Sequence, residues 1–175
     1  WHYVWGDLRL TRRLTLHAHD AAVTLSYQLD GLDALGCDAK LRVAPMLTLR
    51  DFHGLMFRGH ALFQLDRPAD DILTAAHRNL AVSLYAPGST YEPDPDWWYG
   101  VYYCRDAERG QDDHEDHFLP GAFVFDIPRA DSNAPRLLTA APGDEPIVPQ
   151  PDPAPRLARL NAMAEHLPDM ADLAA

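Results

Sequence analysis

Apolar and polar residues alternate one by one through much of the first two thirds of the chain. In LRLTRRLTLH, Leu8 and Leu10 fall on one side, and Arg9 and Thr11 on the other. In AVTLSYQL, Val23, Leu25, Tyr27 and Leu29 share one face, and Thr24, Ser26 and Gln28 the other. KLRVAPMLTLR starts the same way with Leu41 and Val43, then changes phase near Pro45. NLAVSLYA alternates Leu80, Val82 and Leu84, and GAFVFDI offers Phe123 and Phe125. Successive side chains of a strand point to opposite faces, so period two predicts half-buried antiparallel strands. WWYGVYYCRD is also a strand pattern, aromatic on both sides. Such strands pack as two sheets about 10 Å apart over a shared apolar interior.

Pro45 has no N–H for a ladder, which predicts a bulge or an edge in the third strand. Turn residues punctuate the rest. LHAHDA links the first two strands, and DGLDALGCDA the second and third, with Gly31 and Gly36 at the turns. YAPGSTYEPDPD reads as a long Pro-rich loop before Trp97, and LPG as a reset of the chain before the strand AFVFDI. The last third changes character. Residues 131–155 are rich in Pro, Ala and Asp without periodicity, which predicts an extended linker. Leu157, Leu160, Met163, Ala164 and Leu167 then recur at helical spacing. The expected organisation is an all-β sandwich over 1–130, a linker over 131–155 and a helix over 156–175.

Charge narrows the partners. A formal net charge of −11 argues against a nucleic-acid backbone or an anionic membrane, and is compatible with a neutral ligand such as a sugar. No apolar run approaches the roughly 20 residues of a membrane helix. The chain opens WHYVWGDLRL, with no basic start before an apolar run and no initiator Met, as expected of a fragment or a processed form. Cys37 and Cys104 stand far apart and read as reduced, partly buried thiols, which favours the cytoplasm.

Three stretches carry candidate chemistry. Residues 112–117, DDHEDH, are all acidic or histidine. Zinc needs three or four convergent ligands and calcium six to eight oxygens, and neighbouring side chains point apart, so no metal is expected. Glu115 and Asp116 are adjacent, whereas a glycosidase pair must flank one bond roughly 5–10 Å apart, so no catalytic pair is expected either. The expectation is a charged turn, with Arg109 beside Glu108, whose carboxylates accept backbone N–H groups or Arg forks. In LRDFHGL, a strand would put Arg50 and Phe52 on one face and Asp51 and His53 on the other. The Asp could orient the imidazole or bind a hydroxyl pair, or the two could be a strand-end salt bridge and a satisfied histidine. Trp97, Trp98, Tyr99, Tyr102 and Tyr103 suit either a platform for sugar rings or a sheet core. The core reading is expected for most of them, with the other face against a loop, a partner domain or a ligand.

Taken together and in this order, these pieces resemble the N-terminal domain of bacterial and archaeal-type glycogen debranching enzymes, the amylo-α-1,6-glucosidase family. The family's aromatic-rich start and basic strand are matched by WHYVWGDLRLTRRL, and its V-x-L-x-Y-x-L strand by AVTLSYQL. Its P-x-x-x-x-R-D-x-H element is matched by LRVAPMLTLRDFH. Its W-x-Y … R-G-x-D-x-x-E-D-x-x-x-P-G element is matched by WWYGVYYCRDAERGQDDHEDHFLPG. The resemblance covers about the first 127 residues, and the RDxH and RG…ED…PG elements are its specific part. It implies an antiparallel two-sheet supersandwich like that of galactose mutarotase. The upstream strands usual in the family, with their RxYHGLL-type segment, have no counterpart here. It also implies a non-catalytic domain, without cofactor, preceding an (α/α)6 barrel that carries the catalytic carboxylates and hydrolyses α-1,6 branch points. The implied partners are an α-glucan and that barrel of the same polypeptide. Arg50, Asp51, His53, Trp97, Trp98, Arg109, Glu115 and Asp116 are then candidates for substrate binding or for a domain interface, with Asp51, His53, Glu115 and Asp116 bracing loops that face the barrel. The rival readings are a stand-alone carbohydrate-binding module and a mutarotase-like sugar epimerase in which a His and a carboxylate act as acid and base.

Overall fold

A computed structural model describes residues 1–17, 20–131 and 134–147. Ten strands form two antiparallel sheets. The strands are β1 (His2–Trp5), β2 (Leu8–Leu16), β3 (Val23–Asp30), β4 (Ala39–Val43) and β5 (Gln64–Ala69). They continue with β6 (Ile72–His77), β7 (Leu80–Tyr85), β8 (Thr90–Tyr102), β9 (His114–Ile127) and β10 (Arg136–Pro142). Two short helices, α1 (Leu32–Leu35) and α2 (Cys104–Glu108), sit in connections. The larger sheet has seven strands in the order β1-β2-β3-β10-β7-β6-β5, and the smaller has three, β4-β9-β8.

Period two explains the core. Along β9, Phe123, Phe125 and Ile127 all point inward and are almost completely buried. They meet Leu29, Leu73, Leu84 and Leu138 of the larger sheet in one cluster, with Leu8, Leu10, Leu25 and Tyr27 packed against it. Burying each large side chain contributes about 1.5–3 kcal/mol. Some polar side chains that go inside pair with one another: Thr24 and Thr139 share a hydrogen bond of 2.9 Å, and His17 Nε2 lies 2.8 Å from Thr24 Oγ1. The turns at Gly31 and Gly36 form as expected, both with positive φ around α1.

Four elements differ from expectation. Residues 136–142, inside the expected linker, form β10, which pairs with both β3 and β7 in the middle of the larger sheet. The rest of that stretch from residue 148, and the expected helix over 156–175, lie outside the described residues. The third strand ends at Val43 instead of bulging at Pro45. Beyond it Leu47 forms an isolated bridge to Phe118, with reciprocal backbone bonds of 2.8 and 3.0 Å. Of the Pro-rich stretch before Trp97, residues 86–89 form a turn as expected, but from Thr90 onward it is the first half of β8, not a loop. β8 is an edge strand paired only to β9, so Pro93 and Pro95 need no N–H on the outer side, and the ladder shifts register between Pro93 and Asp96. Likewise LPG does not interrupt the chain: β9 runs unbroken through Leu119, Pro120 and Gly121. Among the described residues no helix is long and apolar enough to cross a membrane.

At Gly121, β8 and β9 leave no room for a side chain. Its φ is 149°, and a Cβ there would lie 2.4 Å from the carbonyl oxygen of Glu92 and 2.9 Å from the Tyr91 hydroxyl. That hydroxyl donates to the carbonyl of Pro120 at 2.6 Å. Gly121→Ala therefore pushes two paired backbones apart, and is expected to destabilise the protein by about 2–4 kcal/mol. Urea unfolding of the variant beside the parent protein measures this.

Candidate functional site

Strand alternation splits the acidic run. On β9, Glu115 and His117 turn to one face and Asp116 to the other, as neighbours on a strand must. The Glu115 side chain is completely buried, at 0% exposure. Arg50 grips it as a fork, with Nε to Oε2 at 2.7 Å and Nη2 to Oε1 at 2.8 Å. The Tyr103 hydroxyl donates to Oε1 at 2.5 Å, and the Met56 N–H to Oε2 at 3.1 Å. Each carboxylate oxygen thus accepts two hydrogen bonds. Because an ionised carboxylate only accepts, the Tyr103 proton goes to Glu115. The Tyr103 oxygen then accepts from His117 Nε2, 2.9 Å away.

Electrostatics follow from this geometry. Burial pushes the Glu115 carboxyl upward. The Arg50 fork, the Tyr103 hydroxyl and the Met56 N–H outweigh it and bring the group down to about 2. Burial and then the bond to Glu115 push the Tyr103 phenol up to about 12. The Arg50 guanidinium is itself held more firmly protonated by its bond to Glu115.

The same clamp shapes the loop over residues 44–63, which connects β4 to β5. Arg50 Nη1 donates to the carbonyls of Asp51 and Phe52 at 3.2 and 3.3 Å. Asp51 Oδ1 accepts the His53 N–H at 2.9 Å. Residues 50–53 are therefore a bend and turn, not the strand expected, and Arg50 and Phe52 part company: Arg50 turns in, and Phe52 is 87% exposed. Asp116 holds the loop from its other side. Its N–H donates to the Met56 carbonyl at 2.7 Å, and its Oδ2 accepts the Arg58 N–H at 3.1 Å. Oδ1 accepts the Gly100 N–H of β8 at 3.0 Å. Arg58 also reaches the Tyr99 hydroxyl through its side chain.

The structure thus gathers Arg50, Glu115 and Asp116 around one loop, with Asp51 and His53 on that loop. It does not gather Arg109, which ends α2 through its backbone and is exposed away from the cluster. The charged turn expected around it is α2, and the fork on Glu115 comes from Arg50. Trp97 is half-buried against Phe118 and Phe63, with centroids 5.2 and 6.0 Å away. Trp98, Tyr99 and Tyr102 are exposed, contrary to the core expectation, on a strand at the edge of the smaller sheet. Cys37 and Cys104 are unpaired and fully on the surface, rather than partly buried. Among the described residues no group of three or more His, Cys, Asp or Glu side chains is arranged to hold a metal ion. Sequence reasoning missed Tyr103 as a ligand of Glu115 and the N–H groups of Met56 and Arg58. Nothing in the spacing marks them, since they lie on other elements.

A sequence model of one family, described as glycogen debranching enzyme N terminal, matches residues 1–134. No curated protein and no solved structure matches the chain.

Glu115 makes acid stability predictable. Its folded pKa, about 2, lies below the ordinary carboxyl value of 4.5. The stabilisation is therefore complete above pH 4.5 and is lost as pH falls from there to about 2; in size it is about 3 kcal/mol. Glu115→Gln is expected to lower stability at neutral pH by about 3 kcal/mol, leaving Arg50 without its counter-charge. The gap between variant and parent should close as pH falls toward 2, and urea melts across that range measure it.

Proposed function

The chain belongs to the glycogen debranching enzyme N-terminal family, and from that premise we propose that it is a non-catalytic β-domain of an amylo-α-1,6-glucosidase-type enzyme. In this reading it acts in the cytoplasm, supports α-glucan binding and positions a helical catalytic barrel of the same polypeptide. The carboxylates of that barrel perform the branch-point hydrolysis.

One observation carries the reading: Glu115 and Asp116, the adjacent carboxylates of the acidic run, are spent on structure. Both oxygens of Glu115 are taken by the Arg50 fork, Tyr103 and Met56. Both oxygens of Asp116 are taken by backbone N–H groups. A general acid of a glycosidase needs a raised pKa and an open path to the leaving oxygen. Glu115 has a lowered one and no exposure. The pair acts instead as a brace that sets the 44–63 loop beside β8, along which Trp98, Tyr99 and Tyr102 are exposed. Exposed aromatic rings of this kind stack on the C–H faces of sugars.

The protein is expected to be retarded in native gels containing glycogen and to release no glucose from a branched limit dextrin. Trp98→Ala should weaken the retardation about fivefold, the equivalent of roughly 1 kcal/mol of stacking. Glucose release would overturn the non-catalytic reading, and free migration through glycogen would overturn the binding role. Anomer interconversion of a free sugar would put the epimerase reading in its place.

A further inference from the structure

Beside the brace lies a cavity of about 480 Å³, between the 44–63 loop and the turn that joins β6 to β7. We propose that it holds a glucosyl unit of an α-glucan by its hydroxyl groups; this rests on the reading above and gives it a second contact, away from the β8 aromatics. The volume falls in the range of small-ligand sites.

The lining has the chemistry of a polyol site. His77 is buried, with its ring stacked on Phe63 at 5.4 Å. Its Nδ1 lies 2.9 Å from the Leu62 carbonyl. A carbonyl only accepts, so Nδ1 carries the proton, and in the neutral ring of this cavity-lining residue Nε2 is left as an acceptor with no partner among the described residues. Asp51 offers a second acceptor, since only its Oδ1 is engaged, by the His53 N–H. Arg78 and Asn79 supply donors from the turn, and neither side chain has a hydrogen-bond or ion-pair partner among the described residues. Phe57 and Leu80 add apolar wall against which a sugar ring can lie. A sugar hydroxyl both donates and accepts, so it can use both kinds of group. The lining carries one carboxylate, Asp51, and one guanidinium without an ion pair among the described residues, Arg78, while the charge of Arg50 is answered by Glu115, and this balance favours a neutral ligand over a phosphate.

Arg78 gives the site a handle. It is the one non-glycine residue with positive φ among the described residues, at 55°. It occupies the first central position of the two-residue turn between the paired His77 and Leu80, where glycine is the usual residue. Arg78→Gly therefore removes the donor and relieves the backbone together.

Calorimetric titration of the protein with maltotriose tests the proposal. The parent protein is expected to bind. Arg78→Gly and Asn79→Ala should each bind roughly tenfold more weakly, as expected for a lost charged or paired hydrogen bond. Arg78→Gly should melt no lower than the parent, which excludes unfolding as the cause. Equal affinity in parent and both variants would overturn this site while leaving the Trp98 surface as the glucan contact. Retardation by glycogen without maltotriose binding would do the same. Absence of both would overturn this site and the glucan-binding role together. Displacement of maltotriose by inorganic phosphate through the same residues would overturn the neutral-ligand assignment.

Discussion

A carboxylate taken fully out of water costs several kcal/mol unless its lone pairs are met by donors and its charge by a cation. Glu115 meets that demand with donors from two separate parts of the chain: Arg50 and Met56 on the 44–63 loop, and Tyr103 just past β8. The requirement works in both directions. The loop has no strand ladder of its own through this stretch, so the buried charge specifies where it lies. Removing Arg50 or Glu115 alone leaves a charge without its counterpart, which is why such pairs hold position more firmly than their net contribution to stability implies.

That constraint ties the sheet interior to the surface. Asp116, facing away from Glu115, extends the hold to Arg58 and to Gly100 on β8. One face of β9 thereby fixes the loop, and the other fixes the loop and the edge strand together. The edge itself is thirteen residues long, a length at which exposed N–H and C=O groups invite pairing with other chains. Pro93, Asp94, Pro95 and Asp96 interrupt that row, and the register shifts after Pro93 and after Trp98 bend it. The exposed aromatics thus sit on a strand guarded against further sheet growth, which leaves their rings available to flat ligands.

Sequence legibility followed burial. Where one face of a strand is in the core, alternation announced it: β2, β3, β7 and the end of β9 were all readable from Leu8, Val23, Leu80 and Phe123 onward. β8 was only half readable, because prolines argue for a loop unless the strand is known to be an edge. β5, exposed along its whole length, carries no alternation to read. β10 was hidden by its Pro- and Asp-rich surroundings, although Leu138 and Ala141 are buried. In the cluster, the non-convergence of neighbouring carboxylates was legible from strand geometry alone. The identity of their partners was not, since Arg50 lies 65 residues from Glu115 and only the folded sheets bring them together.

The placement of β10 has a temporal side. The larger sheet consists of two separate antiparallel groups, β1-β2-β3 and β7-β6-β5, and β10 is the one strand between them. Each group can zip up from neighbours in sequence, but their union waits for a segment made more than a hundred residues after β3 begins. On a ribosome the protein would pass through a stage of two half-sheets, each with a bare inner edge, until that last strand leaves the exit tunnel and seals them.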